Sequence, residues 1–88
     1  MENPRDEIRK ELKSGKLIIG TERTLKKLRA GKLKKIYVSA NCPGIVKKNI
    51  TQYSGLANIE VVNLKQQNDE LGIICRKPFL ISVLGLEE

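Results

Sequence analysis

The sequence contains no histidine and no tryptophan, and only two cysteines. Nucleophilic catalysis usually depends on a histidine base beside a serine or cysteine, so enzymes of that kind are disfavoured. Cys42 and Cys75 lie far apart and supply two of the about four ligands that zinc needs. We therefore expect two ordinary thiols in a reducing compartment, no metal or cofactor, and no enzymatic activity.

Long apolar runs and aromatic residues are also scarce. No run approaches the ~20 apolar residues that span a bilayer, and the polar, acidic residues 1–7 do not resemble a signal peptide. Aromatic residues make up 3% of the chain, so the core has to be aliphatic. With 40% hydrophobic and 31% charged residues, the composition is that of a globular protein. Its length predicts one domain, residues 1–88.

Positive charge is what the chain has in excess. Lysine and arginine number 17 against 10 acidic residues, which gives a net charge of +7. Such a field attracts polyanions, first nucleic acid and then anionic membranes or acidic proteins. Seven of the thirteen residues from Arg23 to Lys35 are basic, although part of this run suits the C-terminal end of a helix without any ligand.

Helix and strand signals alternate along the chain. Helices are predicted over about 4–14, 22–30 and 45–56 and from 69 onward, with Asn3, Thr21 and Asn68 as N-caps. Short apolar runs predict strands at 16–20, 36–40, 59–64 and 79–84. Ile45 and Ile50 are expected to face the core. Short connections between alternating elements predict an α/β fold, a three-layer α-β-α sandwich with a four-stranded mixed sheet.

The first candidate binding segment lies where the first strand meets the second helix. Gly20 would allow another backbone to come close, and the helix start behind it offers unpaired N–H groups at a positive dipole end. Arg23, Lys26 and Lys27 share the outer helix surface and can reach an adjacent nucleic-acid backbone. The alternative is an ordinary strand-to-helix turn with a solvated face.

The second candidate segment follows the second strand. Asn41-Cys42-Pro43-Gly44 stands at a strand end, where open α/β sheets place ligands, and Lys47 and Lys48 come next. An asparagine amide can read a base edge as donor and acceptor together. The alternative is a loop shaped by its own backbone bonding.

The third candidate segment combines apolar and basic side chains before the last strand. Ile73, Ile74 and Phe79 stand beside Arg76 and Lys77. Exposed apolar side chains next to arginine can receive an unstacked base. Alternatively, the three apolar residues belong to the core.

Together these segments resemble a known family. The matching motifs are Gly20-Thr21-Glu22-Arg23-Thr24-Leu25-Lys26, Asn41-Cys42-Pro43 and Glu70-Leu71-Gly72, with further similarity at 28–32, 50–53 and 76–79. In this order and spacing they look like the archaeal and eukaryotic large-subunit ribosomal proteins of the L-thirty-e family. That family is part of the L-seven-A-e / L-thirty-e superfamily of kink-turn RNA-binding proteins.

The resemblance implies an α-β-α sandwich that binds a kink-turn. By resemblance, Asn41 would contact a base, Gly20 would admit the bent backbone, and Phe79 with Ile73 or Ile74 would pack on an extruded nucleotide. Glu22 stands where the family more often has lysine or asparagine, and a carboxylate there repels phosphate but can accept from a base amino group. The expected RNA-binding residues are Gly20, Thr21, Glu22, Arg23, Lys26, Lys27, Asn41, Pro43, Lys47, Lys48, Ile73, Ile74, Arg76, Lys77 and Phe79.

The function expected from residues and resemblance is a structural, non-enzymatic one in the large ribosomal subunit. Its partners would be kink-turn ribosomal RNA and other ribosomal proteins, with no membrane, a monomeric free state and a cytoplasmic location. One alternative is a kink-turn protein of RNA-processing or modification particles, similar to L-seven-A-e. An alternative of another class is a module whose basic face binds an acidic protein.

Overall fold

A computed structural model describes the backbone from Pro4 and the side chains from Arg5 to the end of the chain. Asn3, predicted as a helix cap, lies outside the described residues. None of the helices in residues 4–88 combines the length and apolarity needed to cross a bilayer. The elements are α1 (Pro4–Ser14), β1 (Leu17–Ile19), α2 (Thr21–Arg29), β2 (Leu33–Val38), α3 (Gly44–Ala57), β3 (Glu60–Asn63), α4 (Asn68–Ile74) and β4 (Val83–Glu87).

The four strands form one mixed sheet in the order β1-β4-β2-β3. β4 runs antiparallel to both β1 and β2, whereas β2 and β3 are parallel. Because β4 points the other way, β1, β2 and β3 all end at the sheet edge where β4 begins. We call this the carboxyl edge. It is bounded by Ile19, Val38 and Asn63 at the strand ends and by Val83 at the start of β4.

Helices cover both faces of the sheet, which confirms the predicted three-layer sandwich. On one face, Ile8 of α1 and Leu71 of α4 pack with Tyr37 of β2. On the other face, Leu28 of α2 and Ile50 of α3 are buried against β2 and β4. Each fully buried aliphatic side chain stabilises the fold by about 1.5–3 kcal/mol. Apart from Tyr37 and Cys75, the buried hydrophobic side chains are aliphatic, as the composition predicted.

Two predicted helix caps and one predicted core residue are wrong. α2 begins at Thr21 itself, with Gly20 as its N-cap, and α4 begins at Asn68, with Gln67 as its N-cap. Ile45 is 73% exposed, whereas Ile50 is buried as predicted. Ile45 lies in the first turn of α3, and the buried residues of that helix, Ile50 and Ser54, come later in it.

The last strand begins four residues later than predicted. The apolar run from Phe79 suggested a strand, but pairing starts at Val83 and continues through Gly85. A glycine suits this position because an added Cβ would lie 3.0 Å from the Thr24 side chain of α2. The second strand also starts earlier than predicted, at Leu33, which is buried.

Candidate nucleic-acid interface

The loops at the carboxyl edge are tied together by backbone hydrogen bonds. Gly20, directly after β1, donates its N–H to the carbonyl of Val83 at 3.1 Å. Ser39, directly after β2, donates its N–H to the carbonyl of Ser82 at 2.9 Å. The segment that enters β4 therefore lies between the ends of β1 and β2. The structure thus brings the first two predicted segments and the approach to β4 to one edge of the sheet.

Asn41 is held at this edge by the start of α4. Its Oδ1 accepts from the Asn68 backbone N–H at 2.8 Å, and its Nδ2 donates to Asn68 Oδ1 at 3.0 Å. Asn41 therefore satisfies the first N–H of α4 in place of a local cap. An amide oxygen has two acceptor positions and an amide nitrogen two donors, so one of each stays available for a base. Sequence reasoning missed Asn68 as a partner because it lies 27 positions away.

Gly20 adopts a backbone conformation that side chains rarely adopt. Its φ is 109° and its ψ is 150°. An added Cβ would meet nothing within 4 Å, so backbone strain rather than crowding favours glycine here. The same open space lets an incoming backbone approach the Gly20 Cα closely. Thr21 is half-buried, and Glu22 and Arg23 are exposed in the first turn of the helix that follows.

Basic side chains extend from the carboxyl edge along α2 and α3, both of which begin there. Pro43 is exposed at the N-cap of α3, and Lys47 and Lys48 are exposed one turn later. On α2, Arg23, Lys26 and Lys27 line a cavity of about 480 Å³ that also includes Glu87, at the end of β4. The positive ends of both helix dipoles add to these charges. Anionic groups are therefore favoured at this edge.

Lys27 is paired with a carboxylate of the same cavity. Its Nζ lies 3.3 Å from a carboxylate oxygen of Glu87, at the far end of β4 and so at the opposite sheet edge. A partly exposed pair of this kind contributes at most about 1 kcal/mol. Lys27 therefore shares a cavity with Arg23 and Lys26, but its charge is partly offset by Glu87.

The apolar part of the interface differs from the prediction in one residue. Ile73 is 75% exposed and Phe79 is 53% exposed, so both can receive a base. Ile74 is only 5% exposed and packs in the core with Leu71, although it also lines a surface cavity between α1 and α4. Of the two isoleucines, Ile73 is therefore the one better placed to pack on a nucleotide. The i, i+3 spacing of Leu71 and Ile74 could have indicated this. Leu80, which the sequence prediction missed, is 65% exposed.

Arg76 and Lys77 are carried to the far end of α4. The seven residues of α4 separate them from Asn68 by about 10 Å of helix rise. The chain then folds back, because the Lys77 N–H donates to the Gly72 carbonyl at 2.9 Å and the Phe79 backbone lies against Gly72. Phe79 thus returns toward the carboxyl edge, while Arg76 and Lys77 stay beside the end of α4.

The Arg76 backbone carries strain. Its φ is 57°, in the left-handed region, and its N–H donates to the carbonyl of Ile73 at 3.0 Å. Together with the Lys77 bond, this is the Schellman arrangement that ends helices, in which glycine usually occupies this position. An arginine here costs about 1 kcal/mol of strain relative to glycine.

Both cysteines are free thiols, and neither is activated. Burial raises the pKa of the half-buried Cys42 thiol, although the charge of Lys47 opposes the shift. Burial likewise raises the pKa of the Cys75 thiol, which is buried in the core beneath α4. A thiol with a raised pKa is a poor nucleophile at neutral pH.

The sandwich, its basic edge and the sequence motifs agree with a family of ribosomal proteins. The chain belongs to the Ribosomal protein L7Ae/L30e/S12e/Gadd45 family, whose family model matches residues 2–88. It is similar to the large ribosomal subunit protein eL30 of Sulfolobus acidocaldarius, with 40% identity over 91% of this chain and 77% of the relative. The eL30 protein of Branchiostoma belcheri is 36% identical over 100% of this chain and 77% of the relative.

A solved structure shares the fold at low sequence identity. The Giardia lamblia 15.5kD RNA binding protein superposes with a TM-score of 0.83 and covers 100% of this chain and 78% of the other. Only 13% of the aligned residues are identical, so this likeness concerns the fold alone. The resemblance seen in the sequence motifs is thereby confirmed at the levels of family and architecture.

Proposed function

We propose that this protein is a structural component of the large ribosomal subunit that binds a kink-turn in ribosomal RNA and performs no catalysis. The carboxyl edge is the observation that carries the proposal. There the open backbone of Gly20, the amide of Asn41 and the approach to β4 are joined by hydrogen bonds within one surface. The eL30 names of the relatives support the ribosomal assignment.

Each part of this surface suits one feature of a sharply bent RNA. A tightly bent backbone needs a place where no Cβ obstructs its approach, which Gly20 offers. Non-standard base pairs expose edges that the remaining donor and acceptor of Asn41 can meet. An extruded nucleotide can pack on Ile73, Phe79 and Leu80, which are all exposed. Arg23 and Lys47 would hold phosphates.

Preferential binding of the bent form would shift the RNA toward that form. Glu22 would accept a hydrogen bond from a base amino group, because a carboxylate cannot hold phosphate. In this proposal the free protein is monomeric, is cytoplasmic, and meets other ribosomal proteins only in the assembled subunit.

A gel shift against two RNAs of equal length tests this function. One RNA contains a kink-turn and the other is a straight duplex. Because the RNA is read by shape, we expect much tighter binding to the kinked RNA. If roughly 4–6 phosphates are neutralised, the logarithm of affinity should fall with the logarithm of salt concentration with a slope of about −4 to −5.

Equal affinity for both RNAs, or a flat salt response, would contradict the proposal. Co-sedimentation of a tagged chain with the large subunit then separates ribosomal membership from RNA binding alone. Recovery of processing-particle guide RNA instead of ribosomal RNA would reassign the protein to that class.

A further inference from the structure

A second concave surface lies between α1 and α4, outside the surface assigned to the kink. It is a cavity of about 380 Å³ lined by Arg9, Leu12, Lys13, Ile73, Ile74 and Arg76. We call it the α1–α4 groove. Two of its basic residues, Arg9 and Lys13, stand four positions apart on α1, so both project from one helix face. Arg76 faces them from the end of α4.

The charge of this groove is unusually one-sided. Arg9, Lys13 and Arg76 are all exposed, and no carboxylate lines the cavity. Across residues 5–88, none of these three cations makes an ion pair. Elsewhere on the molecule the opposite pattern occurs, since Lys27 and Lys35 both have carboxylate partners. Three uncompensated cations around one concave surface favour an anionic ligand with several charges.

The groove is continuous with the carboxyl edge. A smaller cavity of about 150 Å³ shares Ile73 and Ile74 with it and extends to Arg5 and Glu70 in the first turns of α1 and α4. The first turn of α4 begins at Asn68, the partner of Asn41. The two cavities thus follow α4 from Glu70 to Arg76 just beyond its end. Glu70 makes the end nearer the edge unfavourable for phosphate, so the favourable positions lie toward Arg76.

We propose that the α1–α4 groove binds the phosphate backbone of one RNA stem as it leaves the kink. The proposal rests on the function proposed above and extends the contact surface to α1. Arg9, Lys13 and Arg76 would each hold a phosphate. The exposed Ile73 would pack against a ribose at the junction between groove and edge. Phosphate contacts of this kind position the RNA without reading its sequence.

The test combines a protein variant with RNAs of different stem length. The variant carries Arg9→Gln and Lys13→Gln, which remove both charges from exposed helix positions and keep good helix formers. The matched control carries Lys16→Gln and Lys34→Gln, which remove the same charge from exposed positions outside the groove. Affinity is measured for a kink-turn RNA with long stems and for RNAs with either stem shortened.

The expected result is a coupling between the groove and one stem. The groove variant should bind the long RNA roughly tenfold more weakly than wild type, and its salt slope should be smaller by about two. Shortening the stem that reaches the groove should weaken wild type strongly and the variant much less, because the variant keeps only the Arg76 contact. The control variant should lose affinity on shortening as wild type does. A charge-preserving variant, Arg9→Lys with Lys13→Arg, should bind the long RNA as wild type does.

Three outcomes would overturn the proposal, and they are distinguishable. If wild type prefers the kinked RNA but the groove and control variants respond alike, the groove claim is wrong while the proposed function stands. If wild type shows no preference for the kinked RNA, both fail together. If the groove variant binds RNA normally but loses binding to poly-glutamate, the groove takes an acidic protein segment instead. Equal thermal unfolding midpoints of the variants establish that each is folded.

Discussion

At the scale of the residue, Asn41 links the fold to the proposed RNA contact. Its side chain caps α4 through the Asn68 N–H and also presents a donor and an acceptor at the carboxyl edge. A loss of RNA binding on substitution has two possible physical causes. Either a base contact disappears, or α4 and the apolar loop behind it lose their position. A substitution at this residue therefore needs a stability measurement beside the binding measurement.

Asn41→Ala is expected to weaken kink-turn binding by about 1–3 kcal/mol through the lost base contact. It should also lower the free energy of unfolding by about 0.5–2 kcal/mol, because the first N–H of α4 loses its partner. Urea unfolding and RNA titration measure the two effects separately. Asn68→Ala is the control. It removes the bond that Asn41 Nδ2 donates to Asn68 Oδ1, but it keeps the Asn68 backbone N–H that Asn41 caps. Reduced stability with unchanged RNA affinity would reduce Asn41 to a capping residue.

Arg76 illustrates a conflict between stability and binding within one side chain. Arg76→Gly should raise the free energy of unfolding by about 0.5–1 kcal/mol, because glycine relieves the left-handed strain but adds freedom to the unfolded chain. The same change should weaken RNA binding, because one cation is lost from the groove. Thermal unfolding and RNA titration are the measurements.

Asn58 provides the matched control for Arg76. It has the same φ of 57° but ends α3, on the other face of the sheet. Asn58→Gly should raise stability slightly and leave RNA affinity unchanged. Weakened RNA binding in Asn58→Gly would mean that the backbone change, rather than the lost cation, explains the Arg76 result.

At the scale of the element, the path from α4 to β4 decides where the apolar side chains of the site lie. α4 carries its buried face, Leu71 and Ile74, into the core and leaves Ile73 outside. The chain then turns at Arg76 and returns along the same helix. Gly72 is buried, and the returning backbone at Phe79 packs directly on it. A buried glycine thus positions an exposed binding residue.

Gly72→Ala should displace Phe79, although the added methyl group is itself buried. The new Cβ would overlap the Phe79 carbonyl, so the loop has to shift, at an expected cost of about 1–3 kcal/mol in stability. RNA affinity should fall as well, because Phe79 and Leu80 leave their positions. Urea unfolding and RNA titration check both effects.

Gly55→Ala in α3 is the contrasting change. That glycine is exposed, and an added Cβ would meet nothing within 4 Å, so we expect a stability gain of up to about 1 kcal/mol and unchanged RNA binding. Normal RNA binding by Gly72→Ala would show that the loop path is not what places the apolar contact.

At the scale of the whole molecule, the chain carries a net charge of +7, and a cluster of Lys35 with two carboxylates joins α1 to the sheet. Lys35 lies 2.9 Å from Glu7 and 3.5 Å from Glu60. Burial alone would raise the pKa of Glu7, but the nearby Tyr37 hydroxyl, the hydrogen bond with Lys35 and the charges of Lys35 and Lys34 outweigh it. The pKa of Glu7 therefore lies below its usual value. The pKa of Lys35 is raised, chiefly by its hydrogen bond to Glu7.

The direction of the pH dependence follows from these shifts. A carboxyl with a lowered folded-state pKa contributes stability above its unfolded pKa, and loses it as pH falls through the folded value. We expect the free energy of unfolding to decrease below about pH 5, where protonation also raises the net charge further above +7. Lys35 has a raised folded-state pKa, so its contribution to stability is present at neutral pH. That contribution is lost only when the pH rises into strong alkali.

Urea unfolding between about pH 3 and 7 checks this expectation. Glu7→Gln should flatten the acid limb of the stability curve, whereas Glu88→Gln, at an exposed position, should follow wild type. An unchanged acid limb in Glu7→Gln would mean that the cluster does not link α1 to the sheet energetically.

Much of this protein could be predicted from its sequence, because many of its features depend on short-range interactions. Net charge, the absence of histidine, the alternation of apolar strands with amphipathic helices, and glycines such as Gly20 depend on single residues or near neighbours. The three layers, the mixed sheet and the family follow from such signals. The exposure of Ile73 and the burial of Ile74 could also have been predicted, because adjacent residues of a helix lie on different faces.

Tertiary structure alone decided the rest, because the relevant partners are distant in sequence. The bond between Asn41 and Asn68, the delayed start of β4 and the ion pair between Lys27 and Glu87 each depend on chain segments meeting in space. The groove that joins α1 to Arg76 likewise exists only once both helices pack on the same sheet face. Residue types and periodicity determine which side chains can bind RNA, whereas packing determines which of them share a surface.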